Sequence, residues 1–322
     1  MEIVRYKSAK EQEWDDFLGQ SKNGTFHQSR SFISYHKERF TDHSLIVYEK
    51  GQVIALVPAA EQANKIFFAH PGLTYGSIVI GKDLYLSEYL QLFTALIGYL
   101  KNSGFSKFIA KDIPASYCSH PSGELAYAML LAGAEIRSFD VLPHIFPGEP
   151  IPYQQRRIRA LKKAEKIGIL TLESSDLTSF WELLSDVLAR HSSLPVHSLE
   201  EILELKHRFP SNIRLEIARI EEELLAGVVI FDTGRVERAQ YIAASERGKE
   251  TGALDLLFHR LIENCRHRNK IFEFGTTTLD GGRKLTHGLS DQKEGFGART
   301  LIQYSYLLEL ANFPAENFPT QS

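Results

Sequence analysis

Four stretches of this 322-residue chain concentrate side chains that could hold or move a proton. In Phe272-Glu273-Phe274-Gly275 a carboxylate lies between two aromatic residues. An apolar surround raises a carboxylate's pKa toward neutrality, where it can accept a proton. Glu273 is therefore the first candidate for a general base, the alternative being a solvated outward face. Gln240-Tyr241-Ile242-Ala243-Ala244-Ser245 interleaves polar and small apolar residues. That pattern suits a strand lining a cleft, with Gln240, Tyr241 and Ser245 turned to a ligand, or an ordinary alternating strand. In Arg190-His191-Ser192-Ser193-Leu194-Pro195-Val196-His197-Ser198, the serine at the end forms a capping box with Glu201. The cap leaves Arg190, His191 and His197 as candidates for substrate contact. In Gln292-Lys293-Glu294-Gly295-Phe296-Gly297-Ala298-Arg299 the first glycine ends a helix and the second permits a turn. Lys293 and Arg299 can there anchor a phosphate or carboxylate.

A fifth stretch is charged. Arg156, Arg157, Arg159, Lys162, Lys163 and Lys166 fall within eleven residues, beside a thin apolar edge of Ile158, Leu161 and Ala164. Such a helix grips a tRNA backbone or a lipid-linked, phosphate-bearing partner, or is simply a solvated face. Only a local patch can do this, because 37 basic residues stand against 40 acidic ones for a formal net charge of −3.

Several chemistries are set aside. Gly76-Ser77-Ile78-Val79-Ile80-Gly81-Lys82 matches most of a P-loop, but Asp83 replaces the hydroxyl residue and the interior reads as strand. The 12 histidines and 2 cysteines lack zinc-ligand spacing, so no metal is expected. No Gly-x-Ser-x-Gly elbow or Rossmann glycine fingerprint occurs. Two cysteines suggest a reducing compartment. The charged start Met1-Glu2-Ile3-Val4-Arg5 does not read as a signal peptide, and the apolar stretch 84–100 is broken by Ser87, Glu88 and Gln91. The expectation is a soluble, cytoplasmic protein.

The elements that must position these residues occur twice. A strand at 3–7 leads to a helix at 9–18, a second helix at 30–40, and a hairpin of 45–48 and 53–60 turning at Lys50-Gly51. The same order restarts with a strand at 169–172, helices from 174 and 198, and a hairpin of 213–217 and 224–231. Strands at 75–80 and 107–111 and helices at 86–103 and before Gly133 answer strands at 239–245 and 271–275 and helices at 253–268 and 284–294. The offsets are steady: Ile3 to Ile169 is 166, Ala55 to Ala226 is 171, Phe108 to Phe272 is 164, and Gly133 to Gly295 is 162. Duplication followed by loop insertions leaves this signature. The Pro-rich stretch from Pro143 and the basic helix separate the copies. The expected domains are 1–145 and 168–322, with a linker helix at 146–167.

This order of elements resembles the GNAT acyltransferase fold, and two such units resemble the Fem-type aminoacyltransferases of peptidoglycan bridge synthesis. The local stretches carrying the resemblance are Trp14, Thr25-Phe26-His27-Gln28-Ser29, Gly51 with Ala55 and Pro58, Ala226-Gly227, and Gln292-Lys293-Glu294-Gly295-Phe296-Gly297. The resemblance implies an α/β (α+β) fold of two tandem GNAT-like domains, each a mixed, mostly antiparallel sheet flanked by helices. It implies acyl or aminoacyl transfer to an amine, with acyl-coenzyme A or aminoacyl-tRNA as co-substrate and a peptidoglycan-precursor amine as one acceptor. Glu273 would then be the base, with Tyr241, Gln240, Ser245, Arg190, His191 and His197 near the acceptor. The donor phosphate would meet the helix terminus at Arg247-Gly248-Lys249-Glu250-Thr251-Gly252. Arg247 and Gly252 fit the acetyltransferase pattern, but Glu250 stands where its first glycine belongs. Two other readings remain: a non-catalytic binding protein on the duplicated fold, and a coenzyme A-dependent acetyltransferase of a small metabolite.

Overall fold

Leu45–Glu49 and Gln52–Val57 form a hairpin because Leu45, Val47, Ala55 and Val57 recur at every second position and share one buried face. Leu45 pairs with Val57 and Val47 with Ala55, and Lys50 and Gly51 supply the positive φ angles of 50° and 78° that a tight hairpin turn demands. The computed structural model describes residues 1–36, 39–190 and 192–319. It divides into two units, Met1–Asp140 with Ile302–Ser322, and Val141–Leu301.

In the first unit the hairpin joins Glu2–Arg5 and Val79–Ile80 in one antiparallel sheet. A second sheet runs through Thr41–Asp42, Ala60–Gln62, Ile66–Ala69, Lys107–Lys111 and residues 305–309. Helix Leu86–Asn102 buries Tyr89, Leu92, Phe93, Leu96, Ile97 and Leu100, the apolar stripe of a 3.6-residue repeat. Phe67, Phe108, Leu308 and Phe318 complete that core.

The main sheet of the second unit has the order Leu170–Ser174, Ile213–Ile220, Glu223–Asp232, Val236–Ala244, Ile271–Glu273 and residues 144–145, and Thr278–Leu279 pairs with Lys284–Leu285 in a separate two-stranded sheet. Every pairing is antiparallel except that of Val236–Ala244 with Ile271–Glu273. Helices Leu177–Ala189 and Leu199–Arg208 flank it, as does Ala253–His267, whose Leu257, Phe258, Leu261 and Ile262 pack on Val228, Ile230 and Phe272. Both units have the mixed sheets flanked by helices expected for tandem GNAT-like domains.

Several bounds differ from the sequence reading. The helix expected at 30–40 is a short helix, Arg30–Ile33, followed by a 3-10 turn. The strand expected at 75–80 is reduced to Val79–Ile80, because the Tyr75 hydroxyl turns to Thr25 and His27 at 3.0 and 3.1 Å. The 284–294 segment is a two-residue strand and then helix His287–Glu294. The Pro-rich stretch expected to separate the copies begins inside a strand, Glu135–Ile145, which contains Pro143. The basic helix, Gln155–Ile167, packs within the second unit, its Leu161 and Ala164 in the same core as helix Ala253–His267. Residues 302–319, expected in the second domain, pack with the first unit. Among the described residues no helix is long and apolar enough to cross a membrane.

Candidate functional site

In a regular strand Tyr241 would face away from Arg238, since three residues separate them and the side-chain period is two. Here Val229 pairs with Tyr241 and Ile230 with Ala239, so Gln240 is an extra residue, a β-bulge in the central strand. The bulge turns Tyr241 onto the same face as Arg238. Glu273 pairs with Arg238 across the parallel ladder and His144 pairs with Glu273 on the next strand, so both join that face.

Glu273 is fully buried, and its carboxylate accepts a hydrogen bond from Arg238 Nη1 in an ion pair. Its partner is thus a guanidinium, while Phe272 and Phe274 point to the opposite face and pack on Phe258, and the solvated alternative does not hold. Arg238 Nε also donates to Gln240 Oε1 at 3.0 Å. His144 is buried with Nδ1 2.9 Å from the Leu142 carbonyl; burial lowers its pKa and the Glu273 charge opposes that. Lys293 is 6% exposed and donates from Nζ to the carbonyls of Gly275 and Thr276 at 3.0 and 2.8 Å. Burial, and then the Arg238 charge, pull its pKa down to about 7, with Glu273 acting against them.

Tyr241 and His197, from different elements, meet on this face. The His197 backbone N–H donates to the Tyr241 hydroxyl at 3.2 Å, and His197 Nδ1 hydrogen-bonds the same oxygen. Burial pushes the Tyr241 phenol up to about 12, so it stays a neutral hydroxyl at physiological pH. Its ring stands edge-on to Trp181, centroids 4.9 Å apart.

The other expected residues lie elsewhere in the unit. Arg190 is exposed and pairs with Glu246, and His191 lies outside the described residues. Ser245 Oγ caps helix Glu246–Thr251 by accepting from Gly248 N at 3.0 Å. Arg247 pairs with Glu223 at the surface. Arg299 is exposed and donates to the Ala298 carbonyl. Gly252, at φ 78°, is covered by the basic helix: a Cβ there would meet the Ala160 carbonyl oxygen at 2.6 Å. Asp255, in the first turn of helix Ala253–His267, already places a carboxylate at that terminus and pairs with Arg157 at 2.5 Å. The terminus expected to hold a donor phosphate is filled by this chain's own groups. Lys163 donates to the Glu250 carbonyl and Arg156 to the Asp291 carbonyl, so three cations of the basic helix hold it in the fold.

The sequence reading missed Arg238, His144 and Trp181. Arg238 sits two residues before Gln240, but only the bulge puts it with Tyr241. His144 was hidden in a segment taken for linker. The loop from Gly275 is fastened at Thr277, whose N–H and hydroxyl both donate to the Val141 carbonyl at 3.0 and 3.3 Å. Among the described residues no group of three or more His, Cys, Asp or Glu is placed to hold a metal.

Residues 154–283 match the family model of the acetyltransferase (GNAT) domain. No curated protein matches the chain in sequence. The crystal structure of FemX shares the fold with a TM-score of 0.67 at 12% identity, over 97% of this chain and 98% of that one. The C-terminal domain of a putative lysylphosphatidylglycerol synthetase from Agrobacterium fabrum gives 0.59 at 13%, over 96% and 94%. A tandem GNAT protein from the clavulanic acid biosynthesis pathway gives 0.51 at 12%, over 99% of both chains. At such identities the likeness is one of fold. The chain therefore has the fold of the tandem GNAT proteins, and its residues 154–283 match the GNAT acetyltransferase family.

Proposed function

We propose that this protein transfers an acyl or aminoacyl group to an amine, and that the bulged strand of the second unit forms the catalytic wall. The observation that carries the reading is the bulge at Gln240, which aligns Arg238, Glu273 and Tyr241 on one face, with Lys293 within electrostatic reach of the Arg238–Glu273 pair. A bulged residue leaves the regular ladder, and an N–H released in that way can donate to the oxyanion of a tetrahedral intermediate. The amine nitrogen attacks the acyl carbonyl carbon, the bond to the donor oxygen or sulfur breaks, and the amine gives up a proton. Lys293, with a pKa of about 7, is the group that can take this proton at neutral pH. Glu273, held by Arg238, acts on Lys293 through its charge rather than on the amine directly. Tyr241 and His197 contact the acceptor.

The filled terminus at Gly252 and Asp255 favours an aminoacyl-tRNA donor over a coenzyme A thioester. The exposed Arg159, Lys162 and Lys166 of the basic helix are then the groups for the tRNA backbone. The resemblance to Fem-type enzymes supports an acceptor in cell-envelope or peptidoglycan-precursor synthesis, and a cytoplasmic location. A non-catalytic binding protein is the second reading, favoured by the closed Arg238–Glu273 pair.

A thermal-shift panel at fixed ionic strength tests the donor assignment. A ligand at ~100 times its dissociation constant adds about 2.7 kcal/mol, which moves the melting point by several degrees. Charged tRNA is expected to shift it and acetyl-coenzyme A is not. The reverse pattern would return the chain to the metabolite acetyltransferases, and no shift with either would favour the binding protein.

A further inference from the structure

A small cavity inside the first unit is lined by Asn23, Ser77, Tyr89, Asp112 and Ser122, and has room for one water-sized group. Two of its polar groups are poorly satisfied. The Asp112 carboxylate accepts one hydrogen bond, from the Tyr306 hydroxyl at 3.0 Å, and among the described residues no cation pairs with it. Burial raises its pKa to about 6. The Tyr89 hydroxyl, on a side chain 1% exposed, has no hydrogen-bond partner among the described residues.

Asn23, Ser122 and the neighbouring Lys22 are engaged elsewhere. Asn23 bridges the Ile78 carbonyl and the Ile80 N–H at 3.0 and 2.9 Å. Ser122 donates to Glu124, and Lys22 pairs with Glu124 at 2.5 Å, so its charge is answered there. Buried carboxylates are ordinarily paired with a cation, and buried hydroxyls ordinarily find a partner. The group that would satisfy both at this size carries positive charge and several donors. An ammonium does: one N–H to Asp112, another to the Tyr89 oxygen.

We propose that this cavity binds the ammonium group of a primary amine ligand. A tetraalkylammonium is excluded, because it has no N–H to donate to Asp112 or Tyr89. This inference goes beyond the transfer reading and stands or falls separately from it, since every residue it uses belongs to the first unit.

The test is saturation-transfer NMR of methylammonium chloride with the full-length protein, against sodium chloride and tetramethylammonium chloride at equal ionic strength. The expected result is saturable transfer to methylammonium, competed by ammonium and not by tetramethylammonium, and weakened about tenfold or more in Asp112→Asn. Tyr89→Phe removes only a hydroxyl without a partner, so it should weaken binding while leaving the melting temperature unchanged. Transfer that does not saturate by about 100 mM, or that persists unchanged in Asp112→Asn, would overturn the proposal and leave a cavity for structural water.

Discussion

Burial and the Arg238 guanidinium both disfavour the Lys293 ammonium, and Glu273 opposes them, which leaves a pKa of about 7. Two predictions follow from this residue. In the unfolded chain an ordinary lysine keeps its proton to about pH 10.4. Between pH 7 and 10 the unfolded state therefore binds more protons than the folded one, so stability rises with pH over that window. Lys293→Met should lose this rise, as read from urea midpoints across the range; an unchanged slope would show that Lys293 is not depressed. If it accepts the amine's proton, the same variant should lower turnover about 10²–10⁴-fold. Glu273→Gln removes the fully buried carboxylate that pairs with Arg238, at a cost of about 3–5 kcal/mol. Replacing Arg238 by Met as well should recover much of that loss, and equal stability of the single and double variants would refute the coupling. The aromatics next to Glu273 in the chain are visible in the sequence, but its partner is not, because nothing in the local pattern at 238 announces a ladder contact 35 residues away.

At the scale of elements the bulge at Gln240 gives the sharpest prediction. Deleting Gln240 would close the ladder while keeping Arg238, Ala239 and Tyr241 on their present faces, because it restores the two-residue period. The variant should fold with undiminished melting temperature and lose turnover; retained turnover would remove the bulged backbone from the mechanism. Gly252→Ala tests the covered helix terminus. The left-handed φ of 78° and the approach to the Ala160 carbonyl both oppose a side chain, so a loss of at least about 1 kcal/mol is expected in denaturant unfolding. The long helices are legible: the repeated order of elements places them at 86–103 and 253–268, and the structure has Leu86–Asn102 and Ala253–His267. Strand Glu135–Ile145 was not, because prolines at 143 and 147 read as linker, whereas Pro143 sits inside a strand near its end.

At the scale of the whole chain, the duplication was legible in the offsets, but the assignment of the closing segments to their units was not. Residues 302–319 supply Tyr306, Leu308, Leu310 and Phe318 to the core of the first unit. Each buried side chain of this size is worth about 1.5–3 kcal/mol, and together they approach the total stability of a domain. A chain ending at Leu301 should lose amide-exchange protection along Leu86–Asn102, whereas full protection there would contradict this role of the C-terminal segment. Local periodicity names a strand without naming its neighbour, which is why the pairing of 305–309 with Lys107–Lys111 needed the structure. The measurement that bears most directly on the central claim is amine-dependent discharge of bulk aminoacyl-tRNA by the full-length protein across pH 5.5–8.5, beside Lys293→Met. The account predicts discharge that needs the amine, rises through about pH 7 to a plateau, and is lost in the variant. Discharge indifferent to Lys293, or its absence in the wild type at every pH, would contradict it.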